Sequence, residues 1–361
     1  MEKWMALTTM TRKSRQSGLH IELCSEDAIE DVMIFIDAYW GKNHILSTSH
    51  ELMRWQYRNS RRPGYNWVVA KNDEGVILGI LGFIPNYHYD SSITGDAVFL
   101  WLAVWQVRDD LAPKNLGVTL IYALMKLENT TKIGTIGNNN AVVSLYTALQ
   151  FNVGKLDRFI FLNPRSDSPV LFSGHVAPRL PPVAENAGFE LRRVTEDSFS
   201  ELLQQAAEFQ VVIHPLKTKQ YFIERYWRHP FYHYTMLAVI QKGRSRTIFV
   251  CRAVEHQGRR ALRIVDCIGD TVGLAGLHPL LESLLAEEQA EFMDIYCFGV
   301  PHSDLTDAGF LPCPAEGPLV AANYFEPFVL QNIEINYAYK DDLTQYRIFK
   351  GDGDQDRPNR L

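Results

Sequence analysis

The chain has 361 residues, 46% of them hydrophobic and 12% aromatic, with a net charge of −6 and a pI near 6.0. That length exceeds one ordinary core and predicts two domains, while the acidic balance argues against a general nucleic-acid binder, which needs a basic face. Its 5 cysteines, Cys24, Cys251, Cys267, Cys297 and Cys313, include no CxxC pair, which predicts reduced thiols and no zinc ribbon.

In chain order, residues 1–18 read as a loose arm. They lack the apolar core of a signal peptide, and no run reaches transmembrane length, so a cytoplasmic protein without membrane or nucleic-acid partners is expected. Residues 19–165 form the first predicted domain. It opens with a strand at Leu19–Leu23, a helix from Glu26 to Trp40 with Ser25 as N-cap, and a helix from Ser49 to Tyr57. Asn66–Lys71 and Val76–Ile84 read as a hairpin around Asn72 and Gly75. The apolar run Phe99–Trp105 reads as a buried strand. A polar loop with Pro113, Lys114, Asn115, Leu116 and Gly117 leads into a helix over Val118–Leu127. A second strand, turn and helix spans Ile136–Phe151, and a strand at Asp157–Leu162 closes the half.

Residues 166–187, rich in Pro, Ser and Gly, read as a linker. The second predicted domain, 188–361, repeats the plan. Strands fall at Phe189–Val194, Thr235–Gln241, Arg246–Val254, Ala261–Ile268 and Phe292–Phe298. Helices fall at Glu196–Phe209, Thr218–Trp227 and Leu277–Glu288, with a short one at Ser303–Ala308. The pattern predicts a tandem duplication of one fold.

A strand feeding a Gly-containing loop at a helix N-terminus is a phosphate cradle, because orphan N–H groups and the helix dipole both favour an anion. Two such units in a row resemble the acyl-CoA site of the GNAT acyltransferases. The pyrophosphate loop of that family usually reads Arg/Gln-x-x-Gly-x-Gly/Ala. The matching frame here is Ala112 to Gly117: only the second glycine is present, Ala112 stands at the basic residue and Asn115 at the first glycine. Asn tolerates positive φ better than most residues. The second motif fits more fully, with Asn140, Ala141, Leu145, Tyr146, Ala148, Leu149 and Phe151 in order and Gln150 at the usual glycine.

The resemblance implies an α+β chain of two tandem GNAT-like domains, mixed sheets flanked by helices, with acyl-CoA as co-substrate and no metal. It implies that backbone N–H groups near Trp101, Ala103 and Val104 bind the thioester. Lys114, Asn115, Leu116 and Gly117 would hold pyrophosphate, with Lys114 and Arg108 supplying charge. Asn140 would meet the pantetheine arm, or serve only as an N-cap. Tyr146 would give its proton to the leaving thiolate, or simply pack on an apolar helix face.

A narrower resemblance lies in the second half. The stretches RYWRHPFYHY (Arg225–Tyr234), RIVDCIGD (Arg263–Asp270), NYFEPFV (Asn323–Val329) and FKGDGDQDRPN (Phe349–Asn359) are similar to tandem-GNAT enzymes that acylate nucleotide-linked amino sugars in bacterial surface-polysaccharide pathways. The implied acceptor is a dTDP-linked amino-dideoxy sugar such as a 3-amino-3,6-dideoxygalactose, and the implied acyl group is acetyl or 3-hydroxybutanoyl. The first half would hold acyl-CoA, and the second half with the tail would hold the sugar nucleotide. Asp354 and Asp356 are the expected catalytic carboxylates. Asp266, His44 and His88 are other candidate bases. His44, Asp266, Tyr234, Tyr324, Arg357 and Asn359 are the expected acceptor contacts, Arg357 for its bidentate fit to phosphate and the tyrosines for stacking on thymine. Asp270 in the second loop would repel phosphate, so the second copy is not expected to bind CoA. The acidic tail also admits a solvated end, while the glycine and glutamate of a calcium loop are missing. His229-Pro230 reads as a structural turn. Two other readings stay open: acylation of a peptide or aminoacyl amine, and a non-catalytic binding protein on degenerate GNAT folds. Homo-oligomer formation is also open.

Overall fold

The computed structural model describes residues 18–166, 168–174, 188–208, 214–271, 274–323, 325, 328–341 and 345–359. The predicted arm up to residue 17, most of the predicted linker and Tyr324 lie outside the described residues. The chain divides into two compact units: Met1–Phe83 with Val104–Asn129, and Ile84–Ala103 with Thr130–Leu361.

The first unit is built on an antiparallel sheet of β1 (His20–Leu23), β2 (Trp67–Lys71) and β3 (Ile77–Pro85), β3 leaving the unit at its last two residues. The β2–β3 hairpin closes as its sequence dictates: Asn72 Oδ1 accepts from the Val76 N–H at 2.8 Å, and Gly75 takes φ +79°. Between β1 and β2 the chain is helical. The predicted helix from Glu26 to Trp40 is three pieces: a 3-10 turn (Glu26–Ala28), helix α1 (Ile29–Phe35) and a π-turn (Ile36–Trp40). Ser25 precedes the 3-10 turn and makes no capping bond there. Helix α2 (Ile45–Thr48) is capped by His44, and α3 (His50–Tyr57) by Ser49, whose Oγ accepts from the Leu52 N–H. Val32, Ile36, Leu46, Leu52 and Tyr57 are buried with Trp67, Val68, Ala70 and Ile80 of the sheet. The end of β4 (Leu100–Val107) and helix α4 (Leu116–Leu127) complete the unit, α4 burying Leu120, Ile121 and Leu124.

The second unit takes the start of β4 and then β5 (Ile133–Ile136), α5 (Asn140–Ala148), β6 (Asn152–Lys155) and β7 (Asp157–Leu162). The short β8 (Phe172–Ser173) follows, then β9 (Phe189–Arg193), α6 (Glu196–Ala207) and α7 (Lys219–Phe222), which a π-turn over Ile223–Trp227 extends. The long strands β10 (Tyr234–Gln241), β11 (Arg244–His256) and β12 (Arg259–Gly269) form a meander. It continues into α8 (His278–Glu287), β13 (Ala290–Phe298), α9 (His302–Asp307), β14 (Leu311–Pro312), β15 (Val320–Ala321), β16 (Asn336–Lys340) and β17 (Ile348–Phe349).

The order β4, α4, β5, α5, β6 recurs as β12, α8, β13, α9, β14. In each copy the first two strands pair in parallel, β4 with β5 and β12 with β13. The copies exchange a strand. β16, from the end of the chain, lies between β5 and β6, antiparallel to both. β7, from the middle, lies between β13 and β14. The predicted strand Asp157–Leu162 therefore exists as expected but lies within the second sheet and does not close the first. Its apolar pattern fits either sheet, because periodicity fixes which face is buried and not which neighbour pairs. Phe159, Phe161, Leu237, Val239, Ile264, Leu281, Leu285 and Ile295 share one core. All five cysteines are buried free thiols. No helix among the described residues is long and apolar enough to cross a membrane.

Candidate active site

The parallel ladder of β4 and β5 is short. It runs from Leu100 and Ile133 to Leu102 and Thr135 and stops, although β4 continues to Val107. Trp101 is buried in this ladder, and Ala103, the next residue beyond its end, is half-buried. A strand that leaves its partner carries backbone N–H groups outside the ladder, the kind of donor a polarised carbonyl accepts.

Thr135 marks the end of the ladder on the β5 side and is hydrogen-bonded to the Tyr146 phenol from α5. Tyr146 is 2% exposed, with its ring 5.0 Å from that of Phe151. Burial holds its phenol well above the ordinary tyrosine range, so it keeps its proton throughout neutral pH. Helix α5 is capped by Asn139, whose Oδ1 accepts from the Ala141 N–H at 3.0 Å. Asn140 is therefore not the cap. Its Oδ1 accepts from Asn336 Nδ2 of β16 at 2.7 Å.

At the other predicted loop, Asn115 adopts φ +66° at the N-cap of α4, the left-handed conformation that the missing glycine would have supplied. Gly117 has a packing reason: a Cβ there would come within 2.8 Å of the Trp105 indole. The Leu116 N–H is bonded to the Pro113 carbonyl, whereas Gly117 and Val118 hold first-turn N–H groups that no helical carbonyl reaches. Lys114 is exposed. Arg108 is drawn to Asp110, at 2.9 and 2.6 Å, and its guanidinium lies over the Tyr39 ring at 4.9 Å.

The C-terminal tail is docked and largely buried, which rules out the reading as a solvated end. β17 pairs with β13 at Cys297 and Phe298, and the Gly351 N–H donates to the Val265 carbonyl of β12 at 2.7 Å. The β12–β13 ladder itself ends at Ile264 and Ile295, so the tail fills the gap where those two strands part. Asp352 and Asp266, both fully buried, share the Lys217 ammonium at 2.9 and 2.8 Å. Tyr226 donates to Asp266 Oδ2 at 2.5 Å. Arg225 Nη2 donates to the Gly351 and Asp356 carbonyls at 3.1 and 3.2 Å. Asp356 accepts from Arg252 at 2.8 Å and from the Tyr234 hydroxyl at 2.6 Å.

Past that anchor the tail crosses the first copy. A Cβ on Gly353 would lie 3.5 Å from the Trp101 Cβ. Gln355 packs on Gly137, in the turn between β5 and α5. Asp354 is 6% exposed, accepts from Gln355 Nε2 at 2.8 Å and has Arg357 Nε 3.7 Å away. The tail thus passes Trp101 of β4 and seats Gln355 on the turn that follows β5.

The remaining expected acceptor contacts fall differently. Tyr234 and Asp266 are interior residues spent on Asp356 and on Lys217, so neither offers a stacking face or an available carboxylate. Asp356 is likewise committed to Arg252 and Tyr234. His44 lies in the first unit, where its Nδ1 accepts from the Leu46 N–H at 3.2 Å. Asn359 is half-buried at the end of the described tail. The His229-Pro230 turn is structural as expected, with Nδ1 accepting from the Phe231 and Tyr232 N–H groups at 3.1 and 3.0 Å. In the second loop, Asp270 pairs with Arg246. Lys217, Arg225, Arg252, Thr135, Gln355 and Lys350 were not anticipated. A basic residue in each of the segments that flank the acidic tail was the signal available for the first three. No group of three or more His, Cys, Asp or Glu residues suited to a metal occurs among the described residues.

No family model matches the chain, and no curated protein matches it. Solved structures do. A GCN5-related N-acetyltransferase from Anabaena variabilis superposes with a TM-score of 0.53 at 11% identity, over 89% of this chain and 72% of that one. The GCN5-related glucosamine N-acetyltransferase region of a fungal multi-domain GH3 β-N-acetylglucosaminidase gives 0.52 at 10% identity, over 91% of this chain but only 38% of that longer one. The chain therefore has the α+β, tandem fold of the GCN5-related N-acetyltransferases, with mixed sheets flanked by helices.

Proposed function

We propose that the chain transfers an acyl group, acetyl or 3-hydroxybutanoyl, from acyl-CoA to the amine of a dTDP-linked amino-dideoxy sugar such as dTDP-3-amino-3,6-dideoxygalactose. The observation that carries acyl transfer is the β4–β5 ladder that stops at Leu102, beside the Thr135–Tyr146 pair and beneath a polar tail, in a chain with the N-acetyltransferase fold. One of the structural neighbours is described as acting on glucosamine, which supports an amino-sugar acceptor here.

The chemistry needs a neutral amine, donors at the developing oxyanion and a proton for the departing thiolate. In this reading the N–H groups of Trp101, Ala103 and Val104 serve the thioester, and Asn140 the pantetheine arm. The α4 N-terminus at Asn115, Leu116 and Gly117 serves pyrophosphate, with Lys114 at its edge. The acceptor nitrogen attacks the carbonyl carbon, the carbon–sulfur bond breaks, and the Tyr146 phenol protonates the thiolate. Asp354 is the carboxylate best placed to receive the acceptor amine, because Asp356 is held by its ion pair. Arg357 and Asn359 serve the sugar diphosphate.

A thiol-release assay with acetyl-CoA and 3-hydroxybutanoyl-CoA, against a panel of dTDP- and UDP-linked amino sugars, tests this. Release that depends on one sugar nucleotide is the expected result. No release with any acceptor, together with no thermal stabilisation by CoA, overturns it.

A further inference from the structure

Lys350 lies inside the tail with no exposed surface. Its Nζ donates to Gln355 Oε1 at 2.9 Å and stands 4.3 Å from the centroid of the Phe325 ring. The other end of the same carboxamide, Gln355 Nε2, donates to Asp354 Oδ1 at 2.8 Å. Gln355 therefore links an amine to a carboxylate. It is wedged in place, because its Oε1 sits 2.2 Å from where a Cβ on Gly137 would be.

The charges around this line are unequal. Asp352 has Lys217, and Asp356 has Arg252. Asp354 has Arg357 at the longer distance of 3.7 Å, and Lys350 through Gln355. The charged groups that act on Lys350 include Asp354, Asp356 and Arg357 from the tail and Arg263 from β12. Burial is the largest influence and pulls the amine down to about 7, against the two carboxylates that favour its charge. Lys350 thus stands one hydrogen-bonded residue from the Asp354 carboxylate, and burial draws its amine toward neutrality.

We propose that Lys350 is the positioning residue of the acceptor subsite: through Gln355 it fixes the Asp354 carboxylate that meets the acceptor ammonium. This rests on the acyl-transfer reading above. An amine acceptor reaches the site largely as its ammonium. With Lys350 charged, an acceptor ammonium at Asp354 meets a second buried cation one residue away, and like charges repel. With Lys350 neutral, the subsite is more negative by one charge. The KM for the acceptor falls as pH rises through neutrality, and the KM for acyl-CoA does not follow it.

Two measurements on the full chain test this. In the first, ¹³C-labelled lysine is followed by NMR across pH, with the Lys350 signal assigned by its loss in Lys350→Met. A midpoint near neutrality that drops in Asp354→Asn is expected, since the carboxylate that favours the ammonium is gone. A midpoint in the ordinary lysine range, or one that Asp354→Asn leaves in place, overturns the proposal whatever the activity. If Lys350→Met fails to fold, Lys350→Arg supplies the assignment. In the second, acceptor KM is measured against pH. The unmodified chain should change about tenfold from one pH unit below the midpoint to one above, the limit for a single titrating group. Lys350→Met should flatten that profile, and Lys350→Arg should hold KM high throughout. Acceptor turnover with the same profile in Lys350→Met overturns the positioning role and leaves acyl transfer standing. An NMR coupling with no acylation of any amine overturns acyl transfer and, with it, the role of Lys350 at an acceptor.

Discussion

Gln355 fills the space that a side chain at Gly137 would need, its Oε1 2.2 Å from the site of a Cβ there. Gly137 also takes φ +76°, two residues before the N-cap of α5. Gly137→Ala meets both obstacles at once. The left-handed backbone alone costs about 1–2 kcal/mol for a residue with a Cβ, and the tail must shift to admit the methyl group. We expect a lower denaturation midpoint and faster proteolytic cleavage after Lys350, with α5 still folded. A variant as stable and as resistant as the parent chain would mean that the tail is not seated on Gly137.

Individual elements were legible where the pattern is local. The hairpin at Asn72 and Gly75, the strands β10 to β13 and the αL turn at Asn115 all follow from residue types within a few positions of one another. The exchange of β7 and β16 was not, because a run such as Asp157–Leu162 states that it is buried and says nothing of which sheet buries it. The same limit governs the site. Tyr146 was readable from its motif and helix. That Asp356 faces Arg252 and that Asp266 faces Lys217 depends on contacts across more than forty residues of chain, where spacing carries no signal. The tail's acidic run pointed to a charged function, and the fold shows two of its carboxylates, Asp352 and Asp356, acting as anchors.

Lys217 is one of those anchors, and its loss should be severe. It balances two buried carboxylates, Asp266 and Asp352, with both oxygens of Asp266 at 2.8 Å. Removing one member of a buried ion pair leaves an uncompensated charge and costs about 3–5 kcal/mol. Lys217→Met should show that loss by urea denaturation. Adding Asp352→Asn should restore part of it, since one of the stranded charges is gone. Equal stability of the parent and Lys217→Met would mean that the Lys217 pairs contribute nothing to holding the tail, which would then rest on its other anchors, such as Arg225 and Arg252.

Tyr146→Phe separates structure from chemistry. Only the hydroxyl is lost, and with it the hydrogen bond to Thr135, a change of about 1 kcal/mol in stability. If the phenol protonates the thiolate, kcat should fall about 10²–10⁴-fold, while the affinity for acyl-CoA measured by calorimetry stays near the parent value. Full turnover under saturating substrates removes Tyr146 from the mechanism and leaves it as a packed residue of α5.

His229 gives a pH dependence whose sign is fixed by its surroundings. Burial, and then the charge of Arg225, pull its imidazole down to about 3. An unfolded histidine titrates near ~6.5. Between those values the unfolded chain binds a proton that the native chain refuses, so the contribution of His229 is complete above about pH 6.5 and is lost as pH falls toward 3. The slope approaches about 1.4 kcal/mol per pH unit within that window. The neutral ring also holds the turn, accepting from the Phe231 and Tyr232 N–H groups, a task that an asparagine oxygen at the same place can share. Urea denaturation of the parent chain and of His229→Asn at pH 5 and pH 7 isolates this one group. The parent should lose about 1–2 kcal/mol more than the variant on acidification. Parallel losses in both would mean that His229 takes up its proton in the folded state near its ordinary pH, and that the turn it caps is open to water.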